Sequence, residues 1–343
     1  MYIKIRVRFL FFLFLSFVCL NSFFLRDTAA QDTAAQTDND PTPPSSKFIY
    51  TYESIDVPGV DFLALTASSD FEGYAGYTRS ADGEKMVGFT LIDGVFTTYD
   101  FPGSQNTYFY ALGNNGRAAG HYEDSEGLHH GVILEEGQLR RYDFPGAIET
   151  EIYGYSDSTG ALTGNFTDAS GVRRGFSGEV IVEVPGASAT FAGFTNSHGV
   201  VVGSYIDAEG IYHVYVRTPD GNFTSIKPPG EGVIEDVFLT GVNDTWTFVY
   251  RIQFVGGIPR AGVGSFSAGS VELRFPGALS TQAWNINQDG SIVGYYDTED
   301  GRRHGFIARL TTEDTTTPVD MEPEATGDED LYTFESIDVP GVD

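Results

Sequence analysis

The sequence predicts an all-β fold, a six-bladed β-propeller of four-stranded antiparallel blades preceded by a signal segment. Three observations predict it. An apolar-Pro-Gly corner recurs at near-constant spacing, short strand-like runs fill every interval, and one strand with its corner occurs twice, near both ends of the chain. The corners are Pro58-Gly59, Pro102-Gly103, Pro145-Gly146, Pro185-Gly186, Pro229-Gly230 and Pro276-Gly277, at 40- to 47-residue intervals, with a seventh at Pro340-Gly341. A period of this length marks a solenoid, propeller or array, because each unit buries its apolar face on a neighbour. A β-solenoid is the competing architecture, but its coils are shorter and its strands parallel. Four antiparallel strands in roughly 40–45 residues are the size of one propeller blade.

Taken in order, residues 1–30 read as a signal peptide. Lys4, Arg6 and Arg8 precede the apolar run Phe9 to Leu20, and Thr28-Ala29-Ala30 supplies small residues for cleavage. The run is short for a bilayer and is broken by Asn21 and Ser22, so no stable membrane span is expected after cleavage. The sole cysteine, Cys19, lies inside this segment, leaving a mature chain without disulfides. Residues 31–46, rich in Thr, Asp, Ala and Pro, form a flexible linker. Residues 47–310 carry the six repeats and 311–330 an acidic linker with eight acidic residues and no basic one. Residues 331–343 duplicate the first strand, as the start of an incomplete further repeat.

Within a repeat, strand one follows the corner and ends in an Asn/Asp-x-x-Gly type turn, as at Asn114 to Gly116, Asp157 to Gly160, Asn196 to Gly199 and Asn287 to Gly290. Strand two carries an inner glycine (Gly76, Gly120, Gly164, Gly203, Gly294), with another glycine seven residues on. Strand three opens at His130, Arg174, His213 and His304, and strand four returns to the corner. Gly, Asn and Asp at the turns tolerate the positive φ of tight hairpins. Proline cannot donate to a ladder and belongs just past a strand end.

Tyr50 to Asp61 and Tyr332 to Asp343 are identical at eleven of twelve positions. Six blades need six fourth strands and the chain supplies seven. Ring closure by a strand from the opposite terminus removes exposed edges. Residues 48–57 are expected to complete the last blade beside the strand opening at His304, because that strand ends near Leu310 and runs into the acidic stretch instead of a hairpin. The alternative is that the C-terminal copy closes the blade and residues 48–57 hang free. The spare copy could then insert into a neighbouring molecule, giving strand-swapped self-association.

The unit Asn-x-x-Gly, Ile-Val-Gly-x-Tyr, Asp-x-x-Gly-x-x-His-Gly-Phe and Phe-Thr-x-Asp-Phe-Pro-Gly is best represented by residues 284–306 and 108–146. It resembles the HAF-type repeat of exported bacterial proteins, and the resemblance covers residues 50–310. It implies a secreted or cell-surface, propeller-like protein and brings no catalytic residues. Two departures stand out: the unit from Pro229 to Phe275 lacks the Asp-x-x-Gly-x-x-His segment, and the first unit has Met86 where others have His or Arg.

The net charge of −28 makes nucleic acid and anionic lipid poor partners. A polysaccharide or an extracellular protein is the expected partner. The spacing supports no metal site and no cofactor: there is no His-Glu-x-x-His, phosphate loop, dinucleotide fingerprint or nucleophile elbow. Adjacent His129 and His130 point to opposite faces of a strand and do not converge. Candidate binding residues are those repeated once per blade at the turns between strands two and three, expected to ring one propeller face: Asp124, Asp168, Asp207 and Asp297 with His130, Arg174, His213 and His304. Asp82 is the first unit's counterpart. Hairpin chemistry alone also accounts for these pairs. Thr107, Thr150, Thr190 and Thr281, each four residues beyond a corner glycine, are expected on the innermost strands at the channel mouth, where they could brace blades or touch a ligand. No catalytic residue is assigned. A carbohydrate-active hydrolase or lyase is the alternative, using the inner-strand carboxylates Glu149, Glu151, Glu235 and Asp236.

Overall fold

A computed structural model of the chain describes residues 49–226, 233–265, 269–311 and 336–337. The signal segment, the linker, the corners Pro229-Gly230 and Pro340-Gly341 and residues 312–330 lie outside the described residues. The described elements are all strands, and six four-stranded antiparallel blades form a six-bladed propeller. Blade 1 is β2 (Leu63–Ser68), β3 (Tyr74–Arg79), β4 (Met86–Ile92) and β5 (Val95–Tyr99). Blade 2 is β6 (Asn106–Leu112), β7 (Ala118–Glu123), β8 (His129–Glu135) and β9 (Gln138–Tyr142). Blade 3 is β10 (Ala147–Tyr155), β11 (Leu162–Asp168), β12 (Arg173–Ser177) and β13 (Val180–Val182). Blade 4 is β14 (Ala189–Thr195), β15 (Val201–Ile206), β16 (Tyr212–Arg217) and β17 (Phe223–Ile226). Blade 5 is β18 (Ile234–Val242), β19 (Thr247–Phe254), β20 (Arg260–Ser265) and β21 (Gly269–Leu273). Blade 6 is β22 (Ser280–Ile286), β23 (Ile292–Asp297) and β24 (Arg303–Thr311), and its fourth strand is β1 (Ile49–Ile55).

The corners follow from their residue types. In each of the five described corners the residue before proline accepts a hydrogen bond from the residue after glycine, as from Ser104 N–H to Phe101 O at 3.0 Å. The glycine takes φ near +80°, as +81° at Gly103. Proline first and a positive-φ glycine second are what a type II turn requires.

Strand alternation sends one side of each blade to either neighbour, and the apolar side chains collect into six clusters, one at each junction between consecutive blades. Phe176 and Ile152 of blade 3 pack with Ile133 and Phe144 of blade 2, for instance, all buried. Six dry interfaces distributed round a ring hold the domain without a disulfide.

The inner glycine has a steric cause. Every innermost strand carries a β-bulge at the same place, between Leu65/Ala67, Phe109/Ala111, Ile152/Gly154, Ala192/Phe194, Leu239/Gly241 and Ala283/Asn285. In five blades the bulge brings a strand-one carbonyl so close that a Cβ on the paired glycine would meet it at 1.9–2.0 Å, as at Gly120 against Tyr108 O. Across the next ladder each of these glycines faces a large side chain: Gly76–Phe89, Gly120–Val132, Gly164–Phe176, Gly203–Tyr215 and Gly294–Phe306. Blade 5 inverts the pair. Tyr250 stands on strand two and Gly262 on strand three, where a Cβ would meet the Tyr250 ring at 2.2 Å.

The ring closes as the duplicated segment suggests: β1 pairs antiparallel with β24 from Ile49↔Thr311 to Ile55↔Gly305. Tyr52 anchors it, its hydroxyl accepting the Arg274 N–H at 3.1 Å and its ring meeting Phe275 and Phe306 edge-on. The described part of the C-terminal copy, Ser336–Ile337, pairs instead with the outer edge of blade 4, at Ile226 and Ser225. It is a fifth strand of that sheet.

A second closure runs round the opposite end of the channel, through the turns that follow the innermost strands. Asp70 N–H donates to Asn114 Oδ1 (2.9 Å) and Asn114 N–H to Asp157 Oδ1 (2.9 Å). Ser158 Oγ donates to Ser197 O (2.8 Å), and Ser197 N–H to Asp244 Oδ1 (3.0 Å). Asp244 N–H reaches Gln288 Oε1 (3.0 Å), and Gln288 N–H returns to Asp70 Oδ1 (3.3 Å). Each blade's turn thus bonds the next, and the belt is circular.

Candidate functional site

The turn residues expected to ring one face are occupied by their own hairpins. Asp124 Oδ1 accepts the N–H groups of Glu126 and Leu128, and its other oxygen lies 3.1 Å from His130 Nε2. Asp168 accepts from Ser170 and Val172 and pairs with Arg174, which also reaches Glu183 at 3.2 Å. Asp207 accepts from Glu209 and Ile211 and contacts His213 Nε2 at 2.7 Å. Backbone bonds, with the His partner, hold the Asp124 and Asp207 carboxyls below the usual carboxylate range, and the Ser170 hydroxyl, the Val172 N–H and Arg174 do the same for Asp168. Blade 6 departs from the expected column. Thr298, not Asp297, opens its turn, accepting from Gly301 N–H and donating its own N–H to Arg302 O. Asp297 stands one residue earlier, paired with Arg303 at 2.8 and 3.0 Å, and His304 turns to Asp56, just past the end of β1, at 2.5 Å. The turns lie two strands out from the axis, and none of the eight residues is in the wall of the channel cavities described below.

Thr107, Thr150, Thr190 and Thr281 stand on the innermost strands β6, β10, β14 and β22, and all four are buried. Their hydroxyls accept the N–H of the residue preceding the corner proline: Phe101 (3.0 Å), Phe144 (2.9 Å), Val184 (3.0 Å) and Phe275 (2.9 Å). They fasten each corner to the strand it leads into. Of the four inner-strand carboxylates, Glu149 accepts from Thr167 and Glu235 from Gln253, and neither is in a channel wall. Only Glu151 of the four lines a channel cavity, and Asp236 reaches it through its pair with Arg251.

What occupies the channel is set by the bulges. The extra residue in each innermost strand is Thr66, Tyr110, Tyr153, Gly193, Thr240 or Trp284. Tyr110 of blade 2 lies 5.0 Å from Tyr153 of blade 3 and 5.3 Å from Trp284 of blade 6, ring centre to ring centre, so these three converge on the axis. The two small hydroxyls tie to the next blade, Thr66 to Phe109 O (2.6 Å) and Thr240 to Ala283 O (3.0 Å). At the belt end a cavity of about 380 Å³ is rimmed by Asp70, Asn114, Asp157, Asp244 and Gln288. A second cavity, of about 190 Å³, lies where blade 4 offers only Gly193, walled by Glu151, Arg173, Phe191, Phe238, Arg251 and Trp284. Tyr153 belongs to both walls.

The smaller cavity is polar in an unusual way. Arg173 pairs with Glu151 and faces the Phe191 ring at 5.5 Å; Arg251 pairs with Asp236 at 3.2 Å and faces Phe238 at 5.1 Å. Seven buried side-chain polar atoms among the described residues lack a partner, and five belong to this region: Arg173 Nε, Arg251 Nε, Trp284 Nε1, Asp236 Oδ1 and His121 Nδ1. Buried polar groups are rarely left unpaired outside functional sites. Glu151 has His129 Nδ1 2.5 Å from Oε1, while Oε2 accepts from Arg173 and, at 3.1 Å, from the Tyr153 hydroxyl. Burial pushes the Glu151 carboxyl up, but the His129 hydrogen bond and the His121, Arg173 and His129 charges outweigh it, holding it at about 2. Burial also pushes His121 down to about 4, so its ring is neutral at pH 7. The Glu151 hydrogen bond raises His129. Asp236 is pushed up by burial against the pull of Arg251.

Sequence reasoning named Glu151 and Asp236 but missed His121, Arg173, Arg251 and Trp284, because it otherwise sought side chains alike in every copy. The position after the inner glycine reads Tyr77, His121, Asn165, Ser204 and Tyr295, with Arg251 at the matching place in blade 5. The bulge position is equally mixed. Divergence within those two columns was the available signal.

No family model and no curated protein matches the chain. Among solved structures it is similar to TolB from Acinetobacter baumannii, with a TM-score of 0.43 and 13% identity over 72% of this chain and 54% of that one. The chain thus spans about half the length of that protein. It is also similar to AofleA from Arthrobotrys oligospora, with a TM-score of 0.47 and 13% identity, covering 75% of this chain and 86% of that one. For the Aleuria aurantia lectin the TM-score is 0.36 at 9% identity, over 76% of this chain and 100% of that one. At these identities the likeness is one of fold.

Proposed function

We propose that the protein is an exported, HAF-type propeller that acts as a binding module, and that its ligand is an acidic saccharide unit of an extracellular polysaccharide seated in the cavity beside Gly193. One observation carries this reading. The cavity presents three buried N–H donors without acceptors (Arg173 Nε, Arg251 Nε and Trp284 Nε1) beside the rings of Phe191 and Phe238, which meet edge to face at 5.8 Å. Donors of this kind recognise a carboxylate and ring hydroxyls, and the aromatic faces suit the apolar face of a sugar ring. Its volume of about 190 Å³ is below the roughly 300–1,000 Å³ of drug-sized sites, so it takes one ring rather than a chain. The net charge of −28 repels an acidic ligand over the surface at large, so selectivity for it rests on the guanidinium donors of the cavity.

The test uses the tryptophans. The chain has two, Trp246 and Trp284, so Trp246→Phe leaves Trp284 as the sole reporter inside the cavity. Titration with uronic-acid oligosaccharides should change its fluorescence saturably. Neutral oligosaccharides should act at least ~10-fold more weakly, and Arg251→Gln should remove the response. A flat titration with both ligand classes rejects the assignment.

A further inference from the structure

His121, His129 and Glu151 come together although nothing in their spacing joins them. His121 is on β7 and His129 on β8 of blade 2, and Glu151 is on β10 of blade 3. One ligand atom of each lies within 4.8 Å of the other two. We propose that these three residues form a binding site for a borderline divalent cation such as Zn²⁺, built across the junction of blades 2 and 3. Two imidazoles and one carboxylate, with a fourth position left for water, are a common donor set for that ion.

Two independent observations support the assignment. First, His121 is 4% exposed and its Nδ1 is buried without any hydrogen-bond partner, although a polar nitrogen in such a place is costly. The ring is held by stacking on Tyr110 (5.3 Å, 15°) and by the His129 ring at 4.8 Å. Second, the two oxygens of Glu151 are already divided. Oε2 is fixed by Arg173 and the Tyr153 hydroxyl, while Oε1 is turned to the histidine side. A metal-bound carboxylate is arranged the same way, one oxygen on the ion and the other held by outer hydrogen bonds. Bonds of roughly 2.0–2.2 Å to nitrogen and oxygen place ligand atoms closer together than 4.8 Å. Binding therefore draws the three groups inward, and the ion takes the place of the proton shared by His129 and Glu151. Glu149 and Glu123 add negative potential at His129, while the Arg173 charge acts on His121.

The experiment is a calorimetric titration of metal-stripped full-length protein with ZnCl₂ at neutral pH, beside three variants. The expected result is one equivalent bound per chain and a zinc-dependent rise in melting temperature. His121→Phe, which keeps the stacked ring and removes the unpartnered Nδ1, should weaken binding by roughly 100-fold or more while leaving the zinc-free melting temperature unchanged or raised. His129→Gln should weaken it similarly, and His198→Ala, at an exposed turn, should not alter it. Absence of stoichiometric binding by the parent overturns the proposal whatever the variants do, and so does undiminished binding by a folded His121→Phe protein. Neither outcome bears on the saccharide reading, whose reporter and donors are Trp284, Arg251 and Arg173.

Discussion

Asp297 shows at the scale of one residue how a repeat can mislead. The eye aligns it with Asp124, Asp168 and Asp207, yet its carboxylate serves Arg303 and the Ser280 hydroxyl, the latter at 2.7 Å. Burial raises its pKa, but the hydrogen bonds from Arg303 and Ser280 outweigh that and hold it below the ordinary 3.8. A carboxyl whose folded pKa lies below its unfolded one contributes stability that is complete above the unfolded value and lost as pH falls through the folded one. Asp297→Asn should therefore lower stability at neutral pH by about 1 kcal/mol, discounted for partial exposure. The gap to the parent in melting temperature should close as pH drops below about 3.8. Melting curves that stay parallel down to acid unfolding would show that the pair contributes nothing. The three true turn aspartates were legible because Asp-x-x-Gly states its own hairpin chemistry. Blade 6 hid the exception by giving threonine the opening role.

Among the elements, β1 and its C-terminal double pose the sharpest contrast. They differ at one residue in twelve, so no local propensity can decide which closes blade 6. Chain geometry decides: β1 leads directly through Pro58-Gly59 into blade 1, so in blade 6 it sits next to the strand that it feeds. It also places Ser54 Oγ 2.9 Å from the Tyr296 hydroxyl and Asp56 beside His304. Removing residues 331–343 should leave the melting temperature within about 2 °C of the parent, whereas Tyr52→Ala should lower it by roughly 5–10 °C, as expected for an aromatic anchor in a domain of this size. A large loss on deleting the C-terminal copy would mean that the copy on the edge of blade 4 bears weight after all. Strand and corner positions were readable at this scale because glycine and proline have few roles. The bulge opposite the inner glycine was not, since it appears only when two strands are paired.

The molecule as a whole carries a net charge of −28, and like charges on one domain repel. Added salt screens that repulsion, with a Debye length near 10 Å at 0.1 M and about 3 Å at 1 M. The melting temperature should accordingly rise by a few degrees between low salt and about 1 M NaCl, as differential scanning calorimetry would register. A fall would indicate that specific pairs such as Glu151–Arg173 outweigh the general repulsion. The ring resists this repulsion through two closures of different chemistry, a backbone ladder at β1–β24 and the side-chain belt from Asp70 round to Gln288. The belt residues are polar turn positions in sequence and nothing marks them as partners, because each bond joins residues a full repeat apart.

The amino-acid sequence by itself determined the number of blades, their four strands and the corner turns, whereas which of the two duplicate strands closes the circle was decided by the assembled ring. Those properties depend on residue types with narrow conformational roles, repeated until chance is excluded. Tertiary structure alone decided where chemistry gathers. Once the repeats are wrapped round an axis, the columns that differ from blade to blade, such as His121, Glu151, Arg251 and Trp284, become neighbours. Residues scattered along the chain then share one low-dielectric channel, where their unmatched donors and charges act on each other.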